Sequence, residues 1–226
     1  MADETARRAD LVERFRRLQT AVVCDVYDEM GWEPRALRPD IRPLAGDTGP
    51  LVGFAATVVG RLERFQGPDR RKLAFADSLQ PHDLAVWSGT DAGGFCLFGD
   101  LIAASMQRTG AAGAIVDGGF RDRDAIHATG FPVYARFVTP LQGLGRWRVV
   151  DEQVPVTVAS AYGEPVLVRP GDLVFADGDG VVLVERERIQ PVLERAEAII
   201  RAEAEARRLS ADGMTAQDML DRFGHV

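Results

Sequence analysis

Apolar residues recur at Leu11, Val12, Phe15 and Leu18, the spacing that puts side chains on one helix face, which predicts an amphipathic helix over residues 4–19. Thr20 is placed to cap a second helix that carries Val22, Val23, Val26 and Met30 and is closed by Gly31. Pro, Gly and Asp then break every period through residues 32–50, which read as loop. Residues 51–59 form a β-rich run, 83–87 a short apolar strand, 101–108 a helix and 113–116 a buried strand. A short helix over 123–129 is ended by Gly130, and extended structure resumes over 132–138. Beyond a Gly-rich loop come β-branched runs at 154–159, 165–168, 173–176 and 181–184. Asp177-Gly178-Asp179-Gly180 lies between the last two and reads as a hairpin turn. A calcium loop does not fit, because the twelfth position counted from Asp177 is Arg188 and the sixth is not Gly. The last helix spans about 189–209, with Pro191 in its first turn, where Pro is tolerated. Its stripe of Ile189, Val192, Leu193, Ala196, Ile199 and Ile200 continues to Glu203, whose carboxylate needs a partner if that face is buried.

Strands around a central βαβ-like stretch, with helices at both termini, define an α/β protein. The 226 residues suit one domain, with N-terminal helices over 1–31 and a C-terminal helix over 188–210. A net charge of -7 argues against nucleic acid, which calls for clustered Lys and Arg. The arginine pairs, such as Arg16-Arg17 and Arg207-Arg208, have acids close by and read as solvated helix faces. Cys24 and Cys96 lack zinc-type spacing and read as buried free thiols. No membrane partner is expected, since no run approaches spanning length, and residues 1–8 lack a signal-peptide core. A cytoplasmic location follows as the expectation.

The chemistry concentrates between Gly99-Asp100-Leu101-Ile102 and Gly118-Gly119-Phe120-Arg121-Asp122. Its order is loop, helix, tight turn, buried strand, then a Gly-Gly turn that delivers Arg-Asp at the carboxyl end of an α/β strand. Arg121 offers a planar fork suited to a carboxylate, and Asp122 offers hard oxygens suited to Mg²⁺ or Mn²⁺. Asp100 starts the helix, whose free N–H groups favour an anion nearby. A capping Asp100 beside a surface Arg–Asp pair is the plainer alternative.

The segment resembles the 4-hydroxy-4-methyl-2-oxoglutarate aldolases and their RraA-like relatives, the ribonuclease activity regulator A group. The aldolase branch has an Asp, twenty residues, then Arg-Asp, as in Asp100, residues 101–120 and Arg121-Asp122. Residues 130–136 with Val138-Thr139-Pro140, the stretch from Pro170-Gly171-Asp172 to Val182, and residues 20–31 with Cys24-Asp25 resemble further parts of the family. The resemblance implies a three-layer β/β/α fold, assembled as a homotrimer or homohexamer with active sites between subunits. It also implies that Asp122 holds a hydrated Mg²⁺ or Mn²⁺ and that Arg121 binds a 2-oxo acid. Gly99 and the backbone amides of Leu101 and Ile102 would receive its carboxylate, and Asp100 would orient or deprotonate a water acting as base. A C-terminal glutamate of a neighbouring subunit would approach the metal waters; Glu203 is the candidate, with Glu197 and Glu205 ranked below it.

Cleaving a C–C bond β to a carbonyl leaves an enolate, which needs a cation or an iminium to absorb its charge. The single lysine, Lys72, sits in Arg70-Arg71-Lys72 and reads as solvated, so metal polarisation is favoured over a Schiff base. No G-x-S-x-G precedes a helix and no G-x-G-x-x-G follows a strand. The expected activity is therefore a metal-dependent lyase that releases pyruvate from a 4-hydroxy-2-oxo acid, with oxaloacetate decarboxylation as a further activity. Two features depart from a highly charged substrate: residues 91–98 are apolar, and residues 141–147 offer only Arg146 as a cation. A specialised enolate-handling lyase and a non-enzymatic regulator of a protein partner stay open as alternatives. The acid at Asp100 favours the enzyme, since the resemblance implies that the regulator branch lacks it.

Overall fold

The computed structural model describes residues 2–47, 49–89, 92–211, 213, 215, 217, 218 and 221. Asp91, at the head of the apolar stretch, lies outside the described residues. The centre is four strands: β2 (Leu51–Leu62), β3 (Asp83–Ser88), β4 (Gly113–Phe120) and β5 (Val133–Val138), paired in parallel in that order. β1 (Arg42–Ala45) closes one side on β5, while β9 (Leu173–Ala176) and β10 (Val181–Val184) extend the other side from β2. β6 (Trp147–Glu152) pairs with the far end of β2, and β7 (Val156–Val158) with β8 (Val166–Val168) makes a separate ribbon.

Alternation along the central strands explains the layers, because successive side chains point to opposite faces. Ala85 and Trp87 of β3 point with Ala114 and Val116 of β4 toward helices α3 (Arg70–Ser78), α4 (Asp100–Arg108) and α5 (Arg123–Ala128). Leu84, Val86 and Ile115 point the other way, toward Val156 and Val168 of the ribbon and Val174 and Leu183 of β9–β10. The result is the expected β/β/α layering. Helices α1 (Ala2–Phe15), α2 (Thr20–Glu29) and α6 (Ile189–Ala211) cover the outer face of β9–β10 with Phe15, Val26, Val192 and Leu193.

Several local readings are corrected. Thr20 does not cap α2 but is its first residue; the cap comes from the hairpin, where the two Asp177 oxygens accept from the Thr20 N–H at 2.8 Å and its Oγ1 at 2.7 Å. That ties the expected 177–180 turn, closed by the Asp177 N–H to the Gly180 carbonyl at 3.0 Å, to the N-terminal helices. The loop over 32–50 contains β1, and the Gly-rich loop leads into β6. The run Arg70-Arg71-Lys72 is the first turn of α3, and Lys72 is buried, 8% exposed, rather than solvated.

Candidate active site

Every residue of β4 is buried, so its carboxyl end is a rigid place from which to present side chains. Residues 97 and 98 lie along that end: the Leu97 N–H donates to the Gly119 carbonyl at 2.8 Å, and the Arg121 N–H donates to the Phe98 carbonyl at 3.1 Å. The chain then turns at Gly99 into α4, whose amino end faces Arg121-Asp122. A side chain at Gly99 would displace this pair, since its Cβ would stand 2.3 Å from Asp122 Oδ2 and 3.0 Å from Arg121 Nε.

Asp122 Oδ2 is the point of convergence. It accepts from the Asp100 N–H at 3.2 Å and from Arg121 Nε at 3.1 Å. Asp122 itself is left-handed, with φ 59° and ψ 37°, and stands immediately before α5. That region is uncommon for a residue with a Cβ, though Asp tolerates it better than most. The Ala103 N–H reaches the Gly99 carbonyl at 3.1 Å, so the N–H groups of Asp100, Leu101 and Ile102 precede the α4 ladder. One of them, Leu101 N–H, is taken by Asp100 Oδ1 at 2.8 Å.

Asp100 and Arg121 stand between two spaces. On one side is a pocket of about 280 Å³ walled by Lys72, Leu97, Gly99, Leu101 and Ile102. On the other is an open shelf that holds Asp122, Arg123 and Asp124. A larger cavity of about 790 Å³ lies elsewhere, between Leu62, Phe65, Phe95 and Arg146, and contains none of these residues. Its carboxylate, Glu63, is already held by Arg61 and Arg148, so size does not make it the site.

The structure thus brings together Gly99, Asp100, Leu101, Ile102, Arg121 and Asp122. It does not bring Glu203 to them within one chain. Burial along α6 stops at Ile199, with Ile200 half-buried, so the helix has outrun the core; Glu203 is half-buried and pairs with Arg207 one turn on. Glu197 is held by Arg14 of α1, at 2.8 and 2.9 Å, and Glu205 is exposed. Sequence reasoning missed Lys72, which lines the pocket and donates from Nζ to the Leu97 carbonyl at 2.7 Å. Burial pushes its ammonium below the usual lysine range. The signal was available: Phe75 and Ala76, three and four residues on, are apolar and share its helix face.

Among the described residues no group of three or more His, Cys, Asp or Glu could enclose a metal. A magnesium-type ion does not require one, because it keeps most of its waters and binds through one or two carboxylates. Asp122, 34% exposed on the open shelf with Asp100 beside it, fits that mode.

The α/β scaffold that carries this site is shared with known proteins. The model of the RraA-like family, described as Aldolase/RraA, matches residues 20–183, and the chain belongs to that family. A Halalkalibacterium halodurans protein named provisionally as a 4-hydroxy-4-methyl-2-oxoglutarate aldolase is 29% identical over 220 residues, covering 96% of each chain. Protein DlpA of Legionella pneumophila is 26% identical over 97% of this chain, which spans only 35% of DlpA. In structure, Streptomyces coelicolor RraAS2, described as an unusual member of the RNase ES inhibitor RraA family, matches with a TM-score of 0.72 and 28% identity, over 88% of this chain and 96% of its own. Among the described residues no helix is long and apolar enough to cross a membrane.

Proposed function

We propose that the protein is a cytoplasmic, divalent-metal-dependent lyase that cleaves a 4-hydroxy-2-oxo acid to pyruvate and also decarboxylates oxaloacetate. The observation that carries this reading is the convergence of Arg121 Nε and the Asp100 N–H on Asp122 Oδ2, on the open shelf beside the pocket. Asp122 would hold Mg²⁺ or Mn²⁺, which when bound supplies Lewis-acid polarisation of the oxo group. Arg121 has its Nε–H on Asp122 and directs its Nη groups to the substrate, where they bind the 2-oxo acid and stabilise the charge that develops as the bond breaks. At the start of α4 the Ile102 N–H receives the substrate carboxylate, joined by the Leu101 N–H once Asp100 Oδ1 turns from it to the water. Asp100 orients a water and takes its proton. Glu203 of a neighbouring subunit, in a trimer or hexamer, completes the open shelf around Asp122.

A screen of 4-hydroxy-2-oxo acids and oxaloacetate with added Mg²⁺ or Mn²⁺, following pyruvate release, tests the proposal. Activity should vanish on chelation, return with metal, and be lost in Asp122→Asn, which keeps the left-handed backbone but removes the charge. Full turnover after exhaustive chelation, or in Asp122→Asn, sinks the metal reading. The RraAS2 likeness supports a second reading, a regulator without activity, and silence across the whole screen would favour it.

A further inference from the structure

We infer that the pocket takes a short, uncharged alkyl tail of the 4-hydroxy-2-oxo acid, so that the aldehyde released with pyruvate is aliphatic. This rests on the reading of Asp100, Arg121 and Asp122 as a pyruvate-releasing site. The charges around the pocket are matched: Lys72 and Arg121 share its wall with Asp69 and Asp100. Arg121 Nε is engaged by Asp122, and its Nη groups serve the 2-oxo acid end. The Lys72 ammonium is held by the Leu97 carbonyl at 2.7 Å and lies over the Trp147 ring, 5.1 Å from its centroid. A second carboxylate on the substrate would meet as many acids as bases here, and its desolvation would go uncompensated.

The rest of the wall is apolar and converges from distant parts of the chain: Leu73 from α3, Leu97 and Phe98 from beside the end of β4, Leu101 and Ile102 from α4, and Leu144 from the loop before β6. Leu97 and Phe98 are buried, whereas Leu73, Leu101 and Leu144 are 48%, 80% and 45% exposed. Large apolar side chains left open around one cavity mark an apolar ligand, where the same residues scattered singly would mean nothing. They belong in part to the stretches 91–98 and 141–147, whose sequence is short of charge. The volume of about 280 Å³ limits the tail to a few carbons. With the acid head at the first turn of α4, the tail beyond C4 runs over these leucines. In the cleavage, the C4 hydroxyl gives its proton to the water held by Asp100 and the C3–C4 bond breaks. Its electron pair passes into the pyruvate enolate, which is protonated at C3, and C4 leaves as the carbonyl carbon of the aldehyde. Oxaloacetate ends at C4, so it reaches none of this wall.

The test follows pyruvate release, in Mg²⁺, from 4-hydroxy-2-oxopentanoate, 4-hydroxy-6-methyl-2-oxoheptanoate and 4-hydroxy-2-oxoadipate. The last two share a methylene beyond C4 and then differ, an isopropyl group against a carboxylate of similar size. For the wild type, kcat/KM should rise at least about tenfold from the methyl to the isobutyl tail and fall by at least about tenfold when the isopropyl group becomes a carboxylate. Leu73→Gln combined with Leu144→Gln, at positions about half exposed, should bring the isobutyl-to-methyl ratio to within about twofold of one. Equal or better turnover of the charged acid overturns the inference and leaves the lyase reading standing. An isobutyl-to-methyl ratio that survives the double substitution does the same. A double variant that loses all three substrates alike and elutes as a smaller species would make the leucines a subunit contact and overturn it too. If that variant does not fold, the wild-type comparison of the three acids decides alone. Pyruvate from none of the acids brings down both readings.

Discussion

Gly99 shows how one missing Cβ shapes the site. An alanine Cβ there would meet the Asp122 carboxylate at 2.3 Å, and the backbone, at φ -135°, is acceptable to alanine. The obstructing atom is the end of a side chain, so Gly99→Ala should fold normally, with Asp122 displaced from Arg121 and the Asp100 N–H. Thermal unfolding should change by less than about 1 kcal/mol, whereas lyase activity should fall on the order of 100-fold, as expected for a misplaced reacting group. Near-normal turnover in Gly99→Ala would show that the Asp122–Arg121 contact has no part in catalysis. The residue types at this site were legible from the sequence because Asp100, Arg121 and Asp122 stand at a distinctive spacing after a Gly-Gly turn. The left-handed backbone of Asp122 was not, since nothing in an Arg-Asp-Arg-Asp run distinguishes a turn residue from the first turn of a helix.

Elements with a strong period were readable, and elements defined by their partners were not. α6 follows its stripe from Ile189 to Ile199 because five apolar positions repeat along one face. α3 begins with three cations, and the spacing of Phe75 and Ala76 behind Lys72 is the one local sign that it faces inward, which packing on β6 and α4 bears out. β1 and β6 are short strands at the margins, whose form comes from pairing with β5 and β2 rather than from local composition. The cap on α2 comes from Asp177, far away in sequence, so no local pattern could identify it. The pair Arg14–Glu197 clips α1 to α6, and the bond from Arg14 holds the Glu197 carboxyl below its ordinary range. A carboxyl with a depressed folded pKa stabilises above its unfolded pKa and loses that contribution as the pH falls through the folded value. Both side chains are about 30% exposed, so Glu197→Gln should cost only about 0.5 kcal/mol at pH 7. The difference should shrink between pH 7 and about pH 3, as the pH falls below the range of an ordinary glutamate and toward the lowered folded value. Denaturant unfolding at the two pH values measures it, and a cost that persists unchanged at low pH would assign the effect to packing.

Over the whole molecule, the layering explains why a single chain leaves its site open. The parallel strands deliver Asp122 to a shelf that α5 bounds on one side, while α6 covers the outer face of β9–β10 and belongs to a different core. No element of the same chain supplies Glu203 to that shelf, and α6 continues past Ile200 with its apolar stripe exhausted. A polar helix end beyond the core and an exposed carboxylate at a strand end are complementary needs that a second copy can meet. If sites form head to tail in a ring, each takes Asp122 from one chain and Glu203 from the next. Asp122→Asn and Glu203→Ala should each be inactive alone. Co-expressed with different tags and isolated as mixed assemblies, they should recover about a third of wild-type activity in a trimer, where one interface in three carries both native residues, and about a quarter in a randomly mixed hexamer. A fully active Glu203→Ala would end the shared-site proposal. So would mixed assemblies that stay silent although each parent is inactive and correctly folded. In either case the open shelf would need only water to complete the coordination around Asp122.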